Sequence, residues 1–231
     1  MDADVLAGRL ADVRERIERA RVRAGRAEAV TLVAVTKTHP AEVVRAAIAA
    51  GIADLGENRV QELEEKVAEV GRAAVRWHLI GHLQRNKAAR ALPLFHLLHS
   101  LDSLRLARAL SAAAAAAGRT VPVLAQVNVS GEETKGGFGG GEALGALAEV
   151  AALPGVSLEG LMTMAPFTDD EAVLRRTFRA ARALFDRAAA GVEGFRPLHL
   201  SMGMSNDYEI AVEEGSTMVR LGSVLFGERQ G

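Results

Sequence analysis

Short apolar strands alternate with amphipathic helices along almost the whole of this sequence. We assign eight strands, the first over residues 30–37 and the last over residues 217–221. Such alternation is typical of parallel strands joined by right-handed helical crossovers. Eight units in about 200 residues fit a (β/α)₈ TIM barrel. The alternative is an open doubly wound sheet, but the sequence has no Gly-rich dinucleotide fingerprint after its first strand. We therefore predict an α/β protein whose single domain, residues 1–231, contains a barrel over residues 30–227.

An amphipathic helix is predicted ahead of the barrel, over residues 4–25. Its apolar residues recur at three- and four-residue spacings with charged residues between them, which is the pattern of a helix with one buried face. Gly25 is a plausible C-cap. This extra helix should cover one end or side of the barrel.

The composition limits the classes of function that fit the chain. Apolar residues make up 49% of it and its net charge is -1, so we expect a packed soluble protein rather than a disordered one. The neutral balance gives no support to non-specific nucleic-acid binding. Without cysteine, disulfides and thiolate metal sites are excluded. No apolar run approaches the roughly 18 residues of a membrane span, and the N-terminus lacks a secretory apolar core. We expect a cytoplasmic protein without nucleic-acid or membrane partners, as a monomer or, alternatively, a dimer.

The first predicted strand ends in a lysine, Lys37. Burial disfavours an ammonium group and lowers its pKa from about 10.4, which makes the amine nucleophilic. Such an amine can form a Schiff base with a carbonyl compound. A lysine at a strand end more commonly extends to the surface and stays charged, and this interpretation remains open here.

In a TIM barrel the carboxyl ends of the strands build the active face, and phosphate commonly binds after the seventh and eighth strands. This rule locates the candidate functional residues from the strand assignment alone. The candidates at that face are Lys37, Asn58, His78, His82, Asn128, Met162, Met164, the loop 201–207 and the segment 220–223.

The last two of these segments are rich in small residues and resemble a phosphate cradle. Small residues let backbone N–H groups approach an anion, and helices predicted to begin at Asp207 and after Ser223 would direct their positive ends toward it. Ser201 and Ser223 add hydroxyl donors. Ordinary Gly/Ser loop chemistry is the alternative for either loop taken alone.

An arginine, Arg220, lies within the final predicted strand, where it requires a partner because it cannot lose its charge. One partner would be a barrel carboxylate such as Asp54 or Glu57. The other would be a ligand acceptor such as a pyridine nitrogen. A Schiff-base lysine, a phosphate cradle and an arginine at a ring nitrogen together describe a site for pyridoxal 5′-phosphate (PLP).

Seven stretches in order along the chain resemble the pyridoxal phosphate homeostasis protein family, single-domain relatives of the alanine racemase barrel with PLP fold type III. They are VAVTK (33–37), GENRVQE (56–62), WHLIGHLQRNK (77–87), HSLDS (99–103), QVNV (126–129), LSMGMS (200–205) and MVRLGS (218–223).

The resemblance implies a role for each of the candidate cofactor-binding residues. Lys37 would be the aldimine lysine, Arg220 would face the pyridine nitrogen, and Asn58 would lie near the ring. Ser201, Gly203, Gly222 and Ser223 would surround the phosphate, and Met202 and Met204 of the same loop are further candidate cofactor-binding residues.

Three positions depart from the family pattern. Ser223 stands where threonine is common and keeps a hydroxyl group, Gly136 stands where serine is frequent, and Tyr208 occupies a variable position. The last two leave contacts with a substrate or partner open.

The function that the resemblance implies is intracellular PLP homeostasis. The protein would hold PLP as a reversible aldimine and buffer it or deliver it, with apo forms of PLP-dependent enzymes as transient partners. A cation at the ring nitrogen opposes its protonation and weakens carbanion chemistry, so no dedicated turnover is expected. Lys135 is a candidate to assist transfer, although a solvated surface lysine is the commoner case.

Two alternative activities use the same lysine. One is a weak amino-acid racemase or lyase, for which Tyr208, His78 or His82 would have to supply the second base. The other is a class I aldolase acting on a phosphosugar. A metal enzyme is not favoured, because His78 and His82 are spaced across a strand end and the sequence has no HExxH motif.

Overall fold

A computed structural model describes residues 2–129 and 136–227 of the chain. Over these ranges it shows nine strands, of which eight close into a parallel barrel through the pairing of β4 with β5 and of β9 with β1. The ninth, β6, has two residues and pairs only with β5. The strands are β1 Thr31–Val35, β2 Asp54–Glu57, β3 Arg76–Leu79, β4 Leu97–Leu101, β5 Val121–Asn128, β6 Phe138–Gly139, β7 Val156–Met162, β8 His199–Ser201 and β9 Met218–Leu221. The predicted TIM barrel is confirmed.

Helices connect successive barrel strands and cover the outside of the barrel. They are α1 Ala3–Arg23, α2 Ala41–Ala49, α3 Val60–Val70, α4 Ala88–Ala91, α5 Leu104–Ala116, α6 Ala143–Ala151, α7 Glu171–Gly191, α8 Tyr208–Glu213 and α9 Ser223–Phe226, with 3₁₀ turns at Arg72–Ala74, Arg85–Lys87 and Gly140–Glu142.

The N-terminal helix α1 begins after Asp2, whose side chain accepts a hydrogen bond from the Asp4 amide. Its buried residues form one stripe, and Gly25 follows its end in the left-handed conformation that favours glycine. The helix packs mainly against α8 and α9, so it covers the side of the barrel where the chain closes.

Side chains alternate between the two faces of each barrel strand, and this alternation separates two kinds of interior. The outward-facing residues join the large apolar core between the strands and the helices. The inward-facing residues form a smaller apolar layer at the barrel axis, made of Val33, Leu97, Leu124, Met162 and Met218. Polar side chains occupy other inward positions, and they lead toward the carboxyl ends of the strands.

Several strands have bounds that differ by up to two residues from their prediction, and β4 is the example that matters for the site. The sequence pattern indicated a strand over residues 95–99, whereas β4 covers Leu97–Leu101. Phe95 instead packs in the outer core, and the amide of His96 donates to the carbonyl of Trp77. This shift places His99 inside β4 rather than at its end.

Candidate functional site

A cavity of about 480 Å³ opens at the carboxyl end of the barrel. Six residues from the sequence-based prediction of the cofactor site line it: Lys37, Asn58, Met204, Arg220, Gly222 and Ser223. They come from four different strand ends, so the closure of the barrel brings them together.

Lys37 is half-buried and follows β1 by two residues. The next residue, Thr38, has a φ of 67°, a left-handed conformation that is unfavourable for a β-branched side chain. Its amide donates to Glu62 Oε2 over 3.0 Å and its hydroxyl donates to the carbonyl of Lys37 over 2.5 Å. This turn redirects the chain immediately after the lysine.

A buried ion pair supports the same turn from the outer side of the barrel. Lys66 Nζ donates to Glu57 Oε1 over 2.6 Å and to the carbonyl of Thr36 over 2.7 Å, and the Thr36 hydroxyl also donates to Glu57 Oε1. Burial raises the pKa of the Glu57 carboxyl above its usual value, although Lys66 and Thr36 oppose the shift. These contacts fix the backbone one residue before Lys37.

Arg220 reaches the cavity from β9 and is buried. Its NH1 group donates to Ser201 Oγ over 2.6 Å and its NH2 group donates to the carbonyl of Thr163 over 3.0 Å. Burial lowers the pKa of the Arg220 guanidinium to about 10, and the charge of Asp207 opposes this shift, so the group is cationic at neutral pH.

The predicted alternative of a salt bridge from Arg220 to Asp54 or Glu57 is wrong. Asp54 pairs with Arg76 and His78, and Glu57 pairs with Lys66. Among the described residues no ion pair is formed by Arg220. Its positive charge is therefore held by a hydroxyl and a carbonyl rather than neutralised by a carboxylate.

Ser201, Met202 and Gly203 are buried behind the cavity wall and are not among the residues that line it. The hydroxyl of Ser201 contacts Arg220 instead of facing the opening. Gly203 has a φ of 97°, and a Cβ atom there would lie 2.7 Å from the Cβ of Ala211, so the position requires glycine. Their phosphate contacts remain a prediction. In the structure all three residues support the cavity wall from behind.

Two backbone amides converge at the start of α9. The N–H groups of Gly222 and Val224 both point to Ser205 Oγ, over 3.2 and 3.5 Å. Two amides aimed at one oxygen form the concave arrangement that binds anions. In the other predicted loop, the Met204 N–H likewise donates to a side-chain oxygen, Asp207 Oδ1, over 2.6 Å. In both predicted loops backbone amides thus converge on side-chain oxygens, and the phosphate cradle itself remains a prediction.

Comparison with known proteins identifies the family. The profile described as "Alanine racemase, N-terminal domain" matches residues 9–230. The chain is 42% identical to proteins named "Pyridoxal phosphate homeostasis protein" from Aquifex aeolicus and Escherichia coli K12, over 96–97% of this chain and 97% of each relative. The structure of PipY from Synechococcus elongatus PCC7942 with PLP bound superposes with a TM-score of 0.84 at 37% identity, covering 96% of this chain and all of PipY. The chain belongs to the pyridoxal phosphate homeostasis protein family.

Several other residues singled out from the sequence lie away from the cavity of this family member. His78 and Met162 are buried in the barrel interior, and Asn128 ends β5 without lining the cavity. Tyr208 is buried at the start of α8, where burial raises the pKa of its hydroxyl, and it does not line the cavity either. Lys135 lies outside the described residues.

His82 and Met164, in contrast, do line the cavity, and His82 Nδ1 lies 2.8 Å from Asp102 Oδ2.

Ser205 and Asn206 of the predicted loop 201–207 also line the cavity, whereas sequence reasoning did not single out three further lining residues: Ile80, Gln126 and Phe167. Strand alternation could have identified two of them, since Ile80 follows His78 and Gln126 follows Leu124 on the inward face. Phe167 has no comparable signal, because it lies in a loop with 93% of its surface exposed.

Gly81 also has a role that the motif alone did not explain. A Cβ atom at this position would lie 2.3 Å from the carbonyl oxygen of Asn58. The turn after β3 therefore requires glycine to let the Asn58 loop pass close beside it.

Proposed function

We propose that this chain binds PLP reversibly in the cavity at the carboxyl end of the barrel, with Lys37 as the covalent attachment point, and that it buffers or delivers the cofactor in PLP homeostasis. The names of the relatives and the PLP-bound structure of PipY support the choice of ligand. When bound, PLP supplies an aldehyde that condenses reversibly with a primary amine to form a Schiff base.

The observation that carries the proposal is that Lys37 and Arg220 line one cavity. A buried guanidinium that forms no ion pair among the described residues is costly to maintain unless a ligand uses it. Arginine has donors only, so it suits an acceptor such as an unprotonated pyridine nitrogen. The other end of the ligand can be a phosphate, received by the amides of Gly222 and Val224 and by the hydroxyl of Ser223.

The same arrangement favours holding PLP over chemistry on amino acids. The positive charge of Arg220 opposes protonation of a ring nitrogen beside it, and carbanion formation then gains less from the ring. Tyr208, the chain's single tyrosine, does not line the cavity and so is not placed to act there as a second base. His39 and His82 line the cavity and are the bases that a residual racemase or lyase activity would have to use.

A spectroscopic titration tests this proposal. We expect addition of PLP to give a yellow protein with one bound equivalent, and we expect the Lys37→Ala variant to give the spectrum of free PLP under the same conditions. A colourless protein that forms a reducible adduct with a phosphosugar instead would support a class I aldolase and contradict the proposal.

Long incubation separates the carrier from an enzyme. We expect the loaded protein to leave alanine, serine and homoserine unchanged in chirality and amount, as measured by chiral chromatography. Sustained turnover that the Lys37→Ala variant lacks would show a racemase or lyase.

A further inference from the structure

A continuous chain of polar side chains crosses the inside of the barrel behind Arg220. Arg220 NH1 lies 2.6 Å from Ser201 Oγ, which lies 3.0 Å from His99 Nδ1. His99 Nε2 lies 2.9 Å from His78 Nδ1, and His78 Nε2 lies 2.9 Å from Asp54 Oδ1. All five residues are buried, and they come from five different strands.

The two ends of this chain have opposite and fixed hydrogen-bonding roles. A guanidinium can only donate, and a carboxylate can only accept. Burial opposes ionisation of Asp54, but hydrogen bonds from His78 and Arg76 outweigh it and lower the pKa of this carboxyl below its usual value. Asp54 is therefore a carboxylate at neutral pH, and every link between it and Arg220 must accept on one side and donate on the other.

This condition assigns one tautomer to each imidazole. Ser201 accepts from Arg220 and donates to His99 Nδ1, so His99 carries its proton on Nε2. His99 then donates to His78 Nδ1, and His78 donates from Nε2 to Asp54. Burial, together with the nearby positive charge of Arg220, lowers the pKa of His99 well below its usual value, in agreement with a neutral ring.

The opposite direction is electrostatically unfavourable. It would place a bare nitrogen of His78 against the Asp54 carboxylate and would leave the Ser201 hydroxyl proton without an acceptor among the described residues. Buried polar atoms rarely stay unpaired, since each one costs about 1–3 kcal/mol.

We propose that Ser201 and His99 are positioning residues that orient Arg220 toward the cavity through a hydrogen-bonded chain of fixed direction, which ends on Asp54 near the opposite end of the barrel. The chain gives the buried guanidinium one acceptor and the Thr163 carbonyl gives it a second, so the N–H groups outside these two contacts are left for a ligand. The chain itself is a property of the ligand-free protein, and only its effect on affinity rests on the proposed function.

Nitrogen NMR of the ligand-free protein tests the chain directly. With ¹⁵N-labelled histidine, we expect His78 and His99 each to show a protonated Nε2 and a bare Nδ1 at neutral pH. A protonated Nδ1 on either ring, or an imidazolium at either position, would overturn the proposal without any bearing on PLP binding.

A matched pair of variants tests the positioning role. Ser201→Ala removes the link, so we expect the His99 Nδ1 signal to shift and PLP affinity to fall about tenfold. Ser201→Thr keeps the hydroxyl and should restore both. If Ser201→Ala leaves the His99 signal and the affinity unchanged, or if Ser201→Thr restores neither, the positioning role is wrong. Should the alanine variant not fold, the threonine variant and the wild-type tautomers still decide the question.

Discussion

Among the described residues, two buried cations lie on opposite sides of the barrel wall, and their charges are satisfied in different ways. Lys66 lies on the outer side between β2 and α3, where Glu57 neutralises it and the carbonyl of Thr36 accepts a second bond. Arg220 lies on the inner side and is bonded to the hydroxyl of Ser201 and the carbonyl of Thr163. Both side chains are buried, but only Arg220 borders the cavity.

The difference shows how structural and functional buried charges can be told apart. A fully paired cation such as Lys66 has no remaining demand for a partner, so its contribution is to the fold. A cation held only by neutral acceptors keeps a net positive potential, and it gains from a ligand that brings an acceptor or an anion. On this view Lys66 shapes the wall that carries Lys37, and Arg220 belongs to the binding site.

Lys66→Met should have the largest effect on stability. It leaves the Glu57 carboxylate buried without its cation, and breaking a buried pair in this way costs about 3–5 kcal/mol of unfolding free energy. Urea denaturation of the ligand-free protein measures the loss. The double variant Lys66→Met with Glu57→Leu is the control and should recover most of it. A loss below about 1 kcal/mol in the single variant would mean that the pair is not buried as described.

Acidification should reduce the unfolding free energy, because His99 lies in the hydrogen-bonded chain of side chains inside the barrel. The folded protein holds His99 neutral because burial lowers its pKa, whereas the unfolded chain takes up a proton near pH 6.5. Stability from His99 is therefore complete above about pH 6.5 and is lost below it, by up to about 1.4 kcal/mol per pH unit for one proton. Burial likewise lowers the pKa of His96 and His199, which act in the same direction.

Denaturation curves at several pH values between 5 and 8 measure this slope. His99→Gln removes one titrating group, so its slope should be shallower than that of the wild type. An equal slope in the two proteins would show that His99 binds its proton equally well in the folded state.

Arg220→Met should change the unfolding free energy by no more than about 1 kcal/mol, because it removes a buried charge that only Asp207 offsets but also removes the donor to Ser201 Oγ and to the Thr163 carbonyl. The same variant should bind PLP more weakly in a fluorescence titration. A loss of stability comparable to that of Lys66→Met would remove the distinction between the two cations.

Lys37→Ala should have the smallest effect on stability, within about 0.5 kcal/mol, because the half-buried side chain borders the cavity rather than the core. Thermal denaturation of the ligand-free proteins checks this expectation. A large destabilisation would indicate that Lys37 supports the fold in the way that Lys66 does.

Much of the architecture was predictable from the sequence because barrel strands and helices carry strong periodic patterns. The eight strands and the position of Lys37 at a carboxyl end follow from those patterns. The bounds of β4 could not be predicted from those patterns, since Phe95 and His96 are as compatible with a strand as the residues that follow them.

The roles of the individual residues within the site were less predictable. Ser201 and Ser223 look equivalent in the sequence, but only Ser223 lines the cavity, because the two residues sit at different levels of the barrel wall. The partner of Arg220 also required the structure, since the sequence offered Asp54 and Glu57 as equally plausible acids. No sequence pattern indicated that Lys66 is buried, because its burial depends on where α3 meets β2.

Borohydride reduction followed by peptide mapping tests the central claim most directly. The chain has four lysines, at positions 37, 66, 87 and 135, so the attachment point can be read without ambiguity. After loading with one equivalent of PLP, we expect the reduced adduct on the peptide that contains Lys37, and we expect none on the peptides of the other three lysines. An adduct on Lys66, Lys87 or Lys135, or no adduct on a protein that is visibly yellow, would contradict the account.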